Sequence, residues 1–169
     1  GAGPVTEADL EIDDFLKKSL LNSAPHYGWL SEETEDSSSR LTKTKVFIVD
    51  PIDGTRSFIA GDRTWAHSLA VVENGIPIAA VIYLPKMNLL YTAEVNKGAF
   101  LNGKKISVSQ NFKLKDAEIL AKNSIFNENI WKSGDRALFR QRYCPSIAYR
   151  LALVAEGRFD GMIALGRTW

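Results

Sequence analysis

The sequence predicts a mixed α/β fold: helices packed on a largely antiparallel sheet, followed by a second, smaller α/β unit. Three observations carry this. Two apolar, β-branched runs, 67–73 and 76–84, are joined by Asn74-Gly75, and a second Asn-Gly pair sits within Phe100–Ile106. Asn-Gly between such runs is the strongest short-range hairpin signal. Thr6–Leu21 and Ser146–Glu156 read as helices with polar caps. The composition shifts near Lys113–Asp116, which sets the expected units at 1–115 and 116–169.

Taken in order, Thr6 caps the first helix, with Asp9 three residues on in capping-box position. Leu10, Phe15, Leu16 and Leu20 suggest its apolar stripe. Pro25 and Gly28 end it. Trp29–Glu33 is a short apolar entry into a carboxylate pair, and the Ser-, Thr- and charge-rich stretch 34–44 predicts a mobile surface loop. Val46–Val49 is a continuous apolar run suited to a buried strand that leads straight into Asp50. After the hairpin, 89–94 predicts a further strand. Glu118–Asn123 predicts a strand, Trp131–Phe139 a helix, and Ser146–Glu156 a helix with Gly157 just past its end. Asp160–Leu165 predicts a last short strand. With α-helices set on one side, the hairpins would form the sheet.

Lysine plus arginine number 21 against 20 acidic residues, a net charge of +1. That balance gives no support to general nucleic-acid binding, which shows a basic excess. No apolar run approaches the roughly 20 residues that cross a bilayer, and no signal peptide is visible. A single cysteine, Cys144, cannot form an internal disulfide, and a cytoplasmic location is the simple expectation.

The informative segment is Asp50-Pro51-Ile52-Asp53-Gly54-Thr55. A strand ends in a carboxylate, proline sets a bend, and a second carboxylate follows three residues on. Gly54 lets the backbone approach whatever they bind. Two carboxylates so close repel unless a cation lies between them. The candidate ligands are all oxygens, including the Ile52 carbonyl, which suits a hard cation such as Mg²⁺. Glu32-Glu33 lies upstream, and Thr6-Glu7-Ala8-Asp9 adds a carboxylate at a helix start, where backbone amides favour anions. Each motif alone would read as a turn or a solvated acidic patch. Their joint occurrence, in order, is what points to a site. His26 and His67 read as structural, and Cys144 as a thiol without function.

These strings resemble the inositol monophosphatase family. Asp50-Pro51-Ile52-Asp53-Gly54-Thr55 is similar to its first signature. Ser31-Glu32-Glu33, Pro4-Val5-Thr6-Glu7-Ala8-Asp9, Gly98-Ala99-Phe100-Leu101-Asn102-Gly103 and Leu153-Val154-Ala155-Glu156-Gly157 match other family segments in the family's order. The resemblance implies a layered α/β sandwich, a homodimer and a Mg²⁺-dependent phosphomonoesterase that uses two or three ions. It implies that Glu32, Asp50, the Ile52 carbonyl and Asp53 bind metal. Glu32 and Thr55 would orient the attacking water, and Asp9 would stand behind them. Gly54 and Thr55 amides would face the phosphate. The family's second signature is a Trp-Asp pair, and the natural protein is expected to continue past Trp169.

The resemblance leaves the ester open. Arg56, after the signature, is similar to the bisphosphate nucleotidase and histidinol-phosphate branches, and could pair with a second phosphate; a surface arginine is the plainer reading. The segment 144–148 stands where the family has a Gly-Ser-rich substrate loop and matches it poorly. Some bacterial members act as partners of the transcription machinery, so RNA polymerase is a rival partner to a small phosphorylated metabolite. Its only candidate surface is Arg136, Arg140 and Arg142, equally the solvated face of a helix. Retention of four N-terminal carboxylates favours the enzyme.

Overall fold

The apolar run that enters Asp50 becomes the hub of the fold. In the computed structural model, residues 5–126 and 139–165 are described. Strand β2 (Lys45–Asp53) pairs on one side with β1 (Gly28–Ser31), in parallel, and on the other with β3 (Ala66–Glu73), antiparallel. The sheet continues through β4 (Ile76–Leu84), β5 (Leu89–Glu94), β6 (Gly98–Leu101) and β7 (Lys104–Lys105), all antiparallel, in sequence order. The turns at Asn74-Gly75 and Asn102-Gly103 have both residues at positive φ, as Asn-Gly hairpin turns require. Trp29–Glu33 was expected only as an apolar entry; its first three residues, with Gly28, form β1, too short for periodicity to reveal. Stretch 34–44 is no plain loop either. It holds a 3₁₀ turn, Ser38–Thr42, capped by Ser37 and tied by an Asp36–Arg40 ion pair.

Helix α1 (Glu7–Ser23) starts at the expected capping box: the Asp9 amide donates to Thr6 Oγ1, and the Thr6 amide donates to Asp9 Oδ2. Its inward face differs from the expected stripe. Leu10 and Phe15 are exposed, while Asp9, Asp13, Leu16 and Leu20 line the side turned to the protein. Leu16, Leu20 and Leu21 pack on Trp29, Phe47, Val49, Leu69 and Val71. Helix α3 (Ile147–Ala155) covers the opposite face. Its Tyr149, Ala152 and Leu153 pack with Ala66, Ile82, Leu84 and Tyr91. Leu69 faces α1 and pairs with Val81, while the next residue, Ile82, faces α3; side chains alternate across a strand. The helices therefore lie on both faces, not on one.

A second sheet has the order β10-β8-β9, formed by β8 (Glu118–Ala121), β9 (Arg140–Arg142) and β10 (Gly161–Ile163), with parallel pairs. Leu120 of β8 joins the core under α3, so the two sheets share that core. Of the helix expected at 131–139, residues 131–138 lie outside the described ones, and Phe139 is buried. Arg140 and Arg142, expected on a helix face, are on a strand and pair with Asp116 and Glu118.

Helix α3 begins at Ser146, whose Oγ accepts from the Tyr149 amide, and ends before Gly157, as expected. Gly157 has φ of +76°, and an added Cβ would lie 2.7 Å from the Ser107 carbonyl and 2.9 Å from the Ser109 nitrogen. Backbone meets backbone there, so neither side can yield cheaply. At the same corner Tyr91 donates to Glu156, fastening α3 to β5. Gly157→Ala is expected to lower the unfolding free energy of the full-length protein by about 2 kcal/mol or more, read as a lower denaturant midpoint at unchanged slope.

Candidate active site

The site grows from a defect in β2. Pairing with β3 runs in register to Asp50–Ser68, then resumes at Asp53–Ala66, so β2 carries one extra residue. A bulge of this kind bends the strand and re-aims its side chains. Val49, Pro51 and Ile52 are buried on the way, which anchors the bend. His67 sits across from it. A carbonyl can only accept, so His67 Nδ1 carries the hydrogen and donates to the Pro51 carbonyl. The ring is held against Trp65 and Tyr83. Gly54 then takes a left-handed turn, φ +97°, where an added Cβ would meet Thr64, Trp65 and Ser146 at ordinary contact distance. That turn starts α2 (Thr55–Ile59), which has Thr55 in first place.

Two other elements bring carboxylates to this bend. Strand β1 lies beside β2, and the Glu32 amide donates to the Val49 carbonyl at 3.3 Å, so Glu32 and Glu33 leave the strand next to Asp50. Helix α1 brings Asp9, fully buried. Thr55 Oγ1 lies 3.5 Å from Asp9 Oδ1 and 3.2 Å from the Ile52 carbonyl. One turn further along α1, buried Asp13 accepts from Thr34 Oγ1, which ties the loop after Glu32-Glu33 to the helix. Its other oxygen, Oδ1, is buried with no partner among the described residues.

The electrostatics report the crowding. Burial, then the charges of Asp53, Glu32, Glu33 and Asp9, push the Asp50 carboxyl up to about 8. Glu32 is raised by burial and by Asp53 and Asp9, and Glu33 by burial and by Asp9, Glu32 and Asp13. No lysine or arginine forms an ion pair with any of these carboxylates among the described residues. An all-oxygen, uncompensated acidic pocket suits a hard divalent cation. As placed, no three Asp, Glu, His or Cys side chains among the described residues stand close enough to hold one ion together. Their like charges make closer approach costly without a cation between them. Asp53 is also drawn away: its Oδ2 accepts from Ser146 Oγ and, at 2.6 Å, from the Ala148 amide at the start of α3.

The structure thus brings Asp9, Glu32, Asp50, the Ile52 carbonyl, Asp53, Gly54 and Thr55 to one bend, and sets Arg56 on the exposed side of α2. Sequence reasoning missed Asp13, His67 and Ser146 as neighbours of that bend. Asp13 shares the inward stripe with Leu16 and Leu20, a signal visible once carboxylates are allowed on that face. His26 meets the Tyr27 ring edge-on, and Cys144 is a buried free thiol pushed up by burial.

The profile of the "Inositol monophosphatase family" matches residues 1–169. An inositol-1-monophosphatase of Mesorhizobium japonicum is 36% identical over 180 aligned positions, covering 96% of this chain and 63% of that protein. The extragenic suppressor protein suhB from Bartonella henselae superposes with a TM-score of 0.81 at 32% identity, over 95% of this chain and 65% of that one. An IMPase/NADP phosphatase complexed with Mg²⁺ and phosphate superposes with a TM-score of 0.80 at 27% identity, over 92% and 59%. The chain therefore spans less than two thirds of these relatives. With the fold, the signature bend and the whole-chain match in agreement, the chain belongs to the inositol monophosphatase family.

Proposed function

We propose that the full-length protein is a Mg²⁺-dependent phosphomonoesterase of inositol monophosphatase type, acting on a small phosphate ester. The observation that carries this reading is the charge coupling of Asp50 to Asp53, Glu32, Glu33 and Asp9 around the β2 bend, with Asp50 held protonated to about 8 when no cation offsets them. Glu32, Asp50, the Ile52 carbonyl and Asp53 would hold the ions. Bound Mg²⁺ would acidify the attacking water and offset charge on the phosphoryl oxygens. Thr55 and Glu32 would orient that water and take its proton. Thr55 would be steadied by Asp9, whose carboxylate the α1 cap fixes. The Gly54 and Thr55 amides would receive the phosphoryl oxygens at the start of α2.

The reading includes units at 1–115 and 116–169 with a common core, a homodimer and a cytoplasmic setting. Among the described residues no helix is long and apolar enough to cross a membrane. The transcription-partner alternative gains nothing from Arg140 and Arg142, whose charges are met by Asp116 and Glu118.

Two experiments test the site. Asp53 serves both as a proposed ligand and as an acceptor for the start of α3. Asp53→Asn is expected to abolish Mg²⁺-dependent phosphate release and to keep most of the fold's stability, because the amide oxygen still accepts. Asp53→Ala should also cost about 1–2 kcal/mol of stability through loss of the cap. Full turnover by Asp53→Asn would remove it from the ligand set.

The second concerns pH. Folded, metal-free Asp50 keeps its proton up to about 8, whereas an unfolded aspartate loses it near 3.8. The folded state then binds more protons across that window, so metal-free stability falls as pH rises through it. Added Mg²⁺ should raise the melting temperature more at about pH 8 than at about pH 5. Equal stabilisation at both would mean that these carboxylates do not hold the ion.

A further inference from the structure

The two strands that frame the acidic bend do not match residue for residue. Between the pairs Asp50–Ser68 and Asp53–Ala66, β2 places Pro51 and Ile52 where β3 places His67 alone. Because strand side chains alternate, a shift of the extra residue by one place would turn a neighbour to the opposite face. Asp50 and Asp53 flank this bulge, and the Ile52 carbonyl lies within it. Whatever pins the bulge therefore aims all three.

His67 is placed to pin it. It is the residue opposite the bulge, and its Nδ1 donates to the carbonyl of buried Pro51. The ring itself is held by two others. Trp65 meets it edge-on with centroids 5.4 Å apart, and Tyr83, its partner across β3 and β4, lies at 6.3 Å. Trp65 is buried and meets Phe58 of α2 edge-on at 5.1 Å. Four rings thus run in a row from α2, the helix that opens with Thr55, to β4. Ring pairs prefer particular mutual angles, so the row restrains orientation as well as position. It grips the signature segment at both ends: His67 holds the strand side, and Phe58 holds the helix side. Among the described residues His67 forms no ion pair with a carboxylate. It acts on the cluster through the backbone it holds.

We propose that His67 is a positioning residue for the metal site: by donating to the Pro51 carbonyl from a ring locked in this row, it sets the bulge and so the spacing of Asp50, the Ile52 carbonyl and Asp53. The inference rests on the reading of these groups as Mg²⁺ ligands and deepens it. A group that orients ligands without touching the ion commonly changes the ion's affinity about tenfold to a hundredfold. His67 should therefore govern the hold on the ion rather than the hold on the ester.

The test is calorimetric titration of Mg²⁺ into the metal-free, full-length protein without substrate, for the parent and for His67→Phe, His67→Val and His67→Asn. Phosphate release from inositol 1-phosphate is the second readout. Asparagine keeps an N–H donor close to the place of Nδ1, whereas phenylalanine and valine suit a strand but donate nothing. His67→Phe is expected to weaken Mg²⁺ binding about tenfold or more, and to raise the Mg²⁺ needed for half-maximal turnover by a similar factor. The KM for the ester at saturating Mg²⁺ should stay within about twofold of the parent's. His67→Asn should bind Mg²⁺ nearly as the parent does. A role in packing alone would lower the melting temperature and leave the Mg²⁺ affinity of the folded variants unchanged. Should His67→Phe fail to fold, His67→Val replaces it. Should both fail, nitrogen NMR of the parent decides: Nδ1 should carry the hydrogen and its resonance should move on addition of Mg²⁺. Unchanged Mg²⁺ affinity without the donor, an equal loss in His67→Asn, or an unmoved Nδ1 would overturn the positioning role and leave the phosphatase standing. A parent that binds no Mg²⁺ would overturn the metal-site reading and this role with it. Failure of phosphate release alone would count against the phosphatase reading, and the binding comparison would still decide on His67.

Discussion

Repulsion among carboxylates at the end of β2 is the constraint around which the rest is arranged. Asp50 and Asp53 are only three residues apart, and Glu32, Glu33 and Asp9 are added from other elements. Such a cluster works against folding unless its surroundings are rigid, because each charge can relax only by moving away from the others. The buried anchors Val49, Pro51 and Ile52 prevent that along β2. The parallel pairing of β1 prevents it for Glu32, and the capping box prevents it for Asp9. The fold thus holds in place charges that would otherwise separate, which is the condition for strong cation binding.

The same constraint explains features that look incidental when taken singly. The bulge in β2 lets Asp50 and Asp53 depart from strict alternation. Donation from His67 to the Pro51 carbonyl satisfies a backbone group that the bulge takes out of the ladder. Donation from Ser146 and Ala148 to Asp53 gives one carboxylate a neutral partner and ties α3 to the bend. Part of the cluster's repulsion is therefore met by hydrogen-bond donors that carry no charge, so its net negative charge is preserved for a cation.

Much of this was legible in the sequence. The Asn-Gly hairpins, the Thr6 cap and the Ser146–Gly157 helix follow from local chemistry, and local chemistry is what a sequence displays directly. The bend's own residues were legible for the same reason. What escaped was set by long-range pairing. Strand β1 is four residues long and has no period to read, and β9 is a three-residue strand whose arginines suggested a helix face. The inward face of α1 was misread because apolar residues were assumed to face the core. Near the acidic bend the buried positions are Asp9 and Asp13, while Leu10 and Phe15 face outward. Cooperation among Asp13, His67 and Ser146 joins residues that are far apart in the chain, which spacing alone does not reveal.

Charge is sorted across the site, and Asp53 stands at the divide. On one side lie carboxylates with no cationic partner; on the other lie Arg56, Lys122 and buried Arg150 with no anionic partner among the described residues. Left to themselves, the two sets would attract one another. They are kept apart because α3 and the β2 bend are each fixed by their own packing: α3 by Tyr149, Ala152 and Leu153 in the core, the bend by Ile52 and Val49. An unpaired charge is costly where it is buried, as Arg150 is, and far less so for the exposed Arg56 and Lys122, so the tension on this side of the divide rests on α3.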